Sequence, residues 1–119
     1  MDKRLSLKTF LTIVFVLVLS LVGNATKGEE YPYALDPLPE DGALHLDTWA
    51  NLRWSPGDFA VSHDVYFGDN FEDVNSGGGS TFQGNQSSTS FIVGLPGFPF
   101  PDGLVPGVTY YWRIDEVND

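Results

Sequence analysis

From Tyr31 onward, apolar positions alternate with polar ones instead of recurring at three and four, and glycine and proline return too often for a long helix. The pattern predicts a chain of short strands. Leu52 and Trp54 flank Arg53, so one face of that strand is apolar and the other charged, with Leu46 and Trp49 on an extended lead-in. Ser55-Pro56-Gly57-Asp58 supplies a turn. Val61 to Phe67 reads as a second strand, with Val61, His63, Val65 and Phe67 on one parity and Ser62, Asp64 and Tyr66 on the other. Gly68-Asp69-Asn70 closes it, and Ser76-Gly77-Gly78-Gly79-Ser80 reads as a flexible loop. Ser90 to Leu95 places Phe91, Val93 and Leu95 on one face. The run Pro96-Gly97-Phe98-Pro99-Phe100-Pro101-Asp102-Gly103 is a loop, because each proline lacks a ladder donor. Thr109 to Val117 alternates Tyr110, Trp112 and Ile114 against Tyr111, Arg113 and Asp115. Large apolar groups at period two imply a buried face, and several such strands predict an all-β sandwich in which two sheets share one core.

The N-terminus follows a different rule. Lys3, Arg4 and Lys8 precede an apolar run of 13 residues from Phe10 to Val22, and Gly23-Asn24-Ala25 offers small residues for cleavage after Ala25. This is the pattern of a helical secretory signal. As a helix the run would rise about 20 Å, short of the roughly 30 Å hydrocarbon core, so no stable membrane span is expected after cleavage. The expected organisation is a signal peptide over 1–25, a linker over 26–33 and the sandwich over 34–119. Export to the cell envelope or the medium follows.

Composition narrows the chemistry. The 119 residues suffice for one small domain, and the formal net charge of −10 excludes a general nucleic-acid binder, which needs basic side chains to displace counterions. Loss of Asp2, Lys3, Arg4 and Lys8 with the leader takes the charge to −12. With no cysteine there is no disulfide, thiolate metal site or catalytic thiol. Such acidity serves solubility. A calcium loop around Asp69, Glu72, Asp73 and Asn75, with Asp58 and Asp64 nearby, is the alternative, but the stretch lacks the spacing of an EF-hand.

Three segments make the chain resemble a fibronectin type III domain over residues 34–119. They are Leu52-Arg53-Trp54-Ser55-Pro56, Asp64-Val65-Tyr66-Phe67-Gly68, and Leu104 to Ile114 with its Pro106 and Tyr110. The resemblance implies an immunoglobulin-like sandwich in which Tyr110 turns its hydroxyl back to an upstream backbone group as a structural corner. The wording of residues 62–68 and 111–118 further resembles modules of large exported bacterial proteins, often found beside lectin-like sandwich domains. Two departures stand out. Glu116 occupies a position where the family has a small apolar residue, and is expected beyond the buried part of its strand. The seventh strand is missing at the C-terminal edge. We therefore expect a fragment of a longer product, or an edge filled by residues 31–38 or by a strand-adding partner.

Candidate chemistry is sparse. Ser62, His63 and Asp64 do not make a hydrolytic trio, since consecutive strand residues point to opposite faces; the same divergence separates Asp115 from Glu116. His63 reads as a sheet histidine with one satisfied nitrogen. His45 is lone, and two histidines without cysteine give no zinc motif. Asn85-Gln86-Ser87 matches the N-glycosylation triplet and is expected in a polar loop. Trp54, Tyr110 and Trp112 read as core. The residues left for ligand contact are Trp49, Tyr66, Phe98, Phe100 and Tyr111, with Phe98 and Phe100 expected to cap the open end of the core. The expected function is a non-catalytic spacer or adhesion unit without cofactor, touching neighbouring protein domains or extracellular polysaccharide. The alternative is a carbohydrate-binding module that stacks these aromatics on a glycan.

Overall fold

The computed structural model describes the backbone of residues 3–12 and the whole of residues 30–118. Among the described residues the fold is all-β apart from one short helix. The elements run β1 (Lys3–Thr12), β2 (Leu35–Leu38), β3 (Ala43–Leu44), β4 (Ala50–Ser55), β5 (Ala60–Gly68), α1 (Phe71–Ser76), β6 (Phe82–Gln86), β7 (Ser90–Val93) and β8 (Thr109–Asn118). They form one sheet in the order β3-β1-β8-β5-β6 and a second in the order β2-β4-β7. All pairings are antiparallel except that of β1 with β3.

Alternation makes the core. Ala50, Leu52 and Trp54 of β4 and Val93 of β7 meet Val65 and Phe67 of β5 and Tyr110, Trp112 and Ile114 of β8 in one buried cluster, so both sheets contribute to it. Burying each large apolar side chain contributes roughly 1.5–3 kcal/mol. The aromatics also pack by geometry. Phe67 stacks on Tyr110 with ring centroids 5.5 Å apart, and Phe100 meets both edge-on at 5.3 and 5.7 Å.

Several sequence expectations are corrected here. Val61 was expected on the inward parity of β5, but the register against β8 slips between Ala60 and Ser62, and this bulge leaves Val61 57% exposed. His63, Val65 and Phe67 keep the inward positions. The strand expected to reach Leu95 ends at Val93, because Gly94 turns the chain at φ 89°. A Cβ there would sit 2.5 Å from the Thr48 carbonyl oxygen and 2.8 Å from the Trp49 Cα.

The stretch read as turn and flexible loop contains α1. Its N-cap Asn70 accepts the Asp73 amide at 3.1 Å, and Gly77 ends it in the left-handed region at φ 74°. Asn85 lies in strand β6 rather than in a loop. Its side-chain amide donates to Ser62 Oγ at 3.0 Å and to Asp64 Oδ1 at 2.9 Å.

The edge beside β8, for which residues 31–38 or a partner strand are the expected alternatives to a truncated end, is paired with Lys3–Thr12, while Leu35–Leu38 pairs with β4. Lys3–Thr12, expected to be helical within the leader, is instead strand β1, antiparallel to β8 from Lys3 opposite Asn118 to Thr12 opposite Thr109. An edge of bare N–H and C=O groups accepts any extended segment that can pair with it. The rest of the leader and most of the linker fall outside the described residues.

Candidate functional site

The chemistry-bearing side chains divide between the two faces of the large sheet. On the inner face, Glu116 is fully buried, against the expectation that it lies beyond the core. One oxygen pairs with His63 Nδ1, and the other accepts the Gly57 amide at 2.8 Å. These partners replace the water the carboxylate loses, which is how the strand keeps an inward acid. The His63 ring also meets Trp54 edge-on at 5.4 Å.

On the outer face, Arg113 Nε and Nη2 donate to the two oxygens of Asp115 at 2.8 and 2.6 Å. Its Nη1 donates to the Val74 and Asn75 carbonyls at the end of α1, at 3.0 and 2.8 Å. The guanidinium lies 4.1 Å over the centroid of the Tyr66 ring. Every one of these contacts holds structure together. Ser62 and Asp64 share Asn85 on this face while His63 is turned inward, so the three do not converge. Asp115 and Glu116 are likewise on opposite faces, each with its own partner. Among the described residues, no group of three or more His, Asp or Glu side chains is placed to hold a metal ion.

The five contact candidates fall into three places. Phe100 is half-buried and packs against the core on Phe67 and Tyr110, with its backbone at φ 59°. Tyr66 and Tyr111 share the outer face. Tyr66 is covered by Arg113 and tilts against Phe82 at 5.2 Å, and Tyr111 meets Phe71 edge-on at 5.6 Å, so both rings already have protein contacts.

Trp49 and Phe98 remain. They lie 40% and 44% exposed at one end of the molecule, where the lead-in to β4 meets the loop between β7 and β8. The Thr48 carbonyl accepts the Leu104 amide at 2.7 Å, which ties the two segments together, and Gly94 donates to the Pro99 carbonyl at 2.8 Å within the loop. Tyr110 fixes the same loop from below, its hydroxyl accepting the Val105 amide at 2.8 Å. Leu46 and Val105 add exposed apolar surface from the same segments, and neither is among the five contact candidates. Their signal is weak, because a single apolar residue in a polar stretch looks the same whether it is buried or exposed.

Comparison of the chain with family models, curated proteins and solved structures found no match in any of the three. No helix among the described residues is long and apolar enough to cross a membrane.

Proposed function

We propose that the chain is a non-catalytic, exported β-sandwich module of the fibronectin type III kind, serving as a spacer or interaction unit of a secreted or cell-envelope protein. One observation carries the reading: the Tyr110 hydroxyl reaches back to the Val105 amide at the start of a strand whose next inward residues, Trp112 and Ile114, lie in a core shared by two sheets. The buried acids support it, since their partners are structural and none converges on an open surface. Export rests on the leader pattern of residues 1–25. N-terminal sequencing of the product from an exporting host tests this. A product beginning at Thr26 in the medium or envelope agrees with the reading, and an intact Met1 product held in the cytoplasm overturns it.

The exposed pair Trp49 and Phe98 favours a second reading, glycan binding by aromatic stacking at the loop end. A glycan array separates the two. Micromolar binding that is lost in Trp49→Ala or Phe98→Ala selects the second reading, and a flat array leaves the first.

A further inference from the structure

The outer edge of β8 is occupied by a segment that the export reading removes. All ten residues of β1 lie in continuous antiparallel register with β8, with no slip. By contrast, β5 meets β8 through a bulge, and β2 meets β4 with a register shift. The register sets Leu5, Leu7 and Leu11 opposite Glu116, Ile114 and Tyr110. Those three β8 positions are among the most deeply buried of the described residues, and a strand leaving this edge would leave the β8 N–H and C=O groups that face it unpaired. The same segment contains Lys3, Arg4 and Lys8, three of the six basic residues of a chain carrying net −10.

We infer that the outer edge of β8 is a strand-docking site, held in the unprocessed chain by Lys3–Thr12 and taken, once the leader is cleaved, by an extended segment of another polypeptide. That segment carries apolar residues at alternate positions with basic residues between them. The inference rests on the export reading and names the partner that reading leaves open. Main-chain hydrogen bonds along β8 supply the affinity. Alternation is required because every second residue of a strand docked here lies on the same side as Tyr110, Trp112 and Ile114. Basic character is favoured because loss of the leader takes the chain from −10 to −12, which attracts a cationic partner.

The test uses a fluorescent synthetic peptide with the sequence of residues 3–12, titrated into the full chain and followed by anisotropy. Two preparations open the edge. One is the double variant Leu7→Pro/Lys8→Pro; neighbouring N–H groups in a strand point to opposite edges, so one of the two prolines removes a donor toward β8. The other is a chain that carries a protease site inserted within residues 26–29 and is otherwise unchanged, folded intact and then cut there. Hydrogen exchange of the β5 amides reports whether either preparation stays folded.

Saturable binding to an opened chain, at least tenfold tighter than to the intact chain, is the expected result. A Leu5→Asp/Leu7→Asp peptide should then lose at least tenfold, and a peptide with its three basic residues changed to glutamate should also weaken. No binding to either opened preparation overturns the inference, as does equal binding of all peptides. Failure of the export reading shows itself separately, as an intact Met1 in the exported fraction, and leaves the titration interpretable.

Discussion

His63 and Glu116 face each other across β5 and β8 and share a hydrogen bond in the interior, where neither side chain reaches water. The second oxygen of Glu116 holds the Gly57 amide, so a single carboxylate secures both a neighbouring strand and the turn before it. Glu116→Ala strands two buried polar groups and should cost about 3–5 kcal/mol in urea unfolding. Glu116→Gln keeps an acceptor for Gly57 and should cost less than half as much. Equal losses in the two variants would show that an amide of the same volume cannot stand in for the carboxylate at Gly57 and His63.

Arg113 is the second buried charge with a defined task. Arg113→Lys keeps the charge but loses the forked grip on Asp115 and at least one of the carbonyls at the end of α1. A loss of about 2–3 kcal/mol is expected. Amide exchange should rise most in α1 and β6, and a uniform rise across β4 and β7 would argue against a local tether.

Gly94 and Gly97 form a matched pair. Both have positive φ, 89° and 87°, but a Cβ at Gly94 collides with the Thr48 carbonyl while nothing lies within 4 Å at Gly97. Gly97→Ala should cost about 1 kcal/mol, the backbone preference alone. Gly94→Ala should cost at least ~2 kcal/mol more, since the obstruction is main chain that cannot swing aside. Thermal denaturation of the two variants side by side decides it.

Phe98 and Phe100 sit two residues apart with opposite roles. Phe100→Ala removes a half-buried ring from the sides of Phe67 and Tyr110 and should cost about 2–3 kcal/mol. Phe98→Ala should change stability by less than ~0.5 kcal/mol, as expected for an exposed residue. Any ligand binding at the loop end would show the reverse order.

Tyr110→Phe removes only the hydroxyl that accepts the Val105 amide. It should lower stability by about 1–2 kcal/mol and speed exchange at Val105 selectively.

Trp54, Tyr110, Trp112 and Ile114 were legible as core from their spacing alone, because period two and large apolar groups leave few other arrangements. Glu116 was misjudged for a physical reason. An inward carboxylate looks unfavourable until its partners are known, and His63 and Gly57 lie 53 and 59 residues away in the chain. The helix α1 was missed although Asn70 and Gly77 are ordinary caps, because six residues carry too little periodicity to read. Val61 was misplaced by a bulge that depends on pairing with β8. The loop end with Trp49 and Phe98 was half legible: proline density marked the loop, but the two segments meet only through contacts such as Thr48 to Leu104.

The Arg113 tether has one mechanical consequence. Its side chain starts on β8 yet grips the connection that leads from β5 to β6, so that link is fastened to the middle of its own sheet. A pull on β6 is thereby passed to the central strand, and peeling from that flank must first draw two carbonyls off a guanidinium that Asp115 and the Tyr66 ring hold in place.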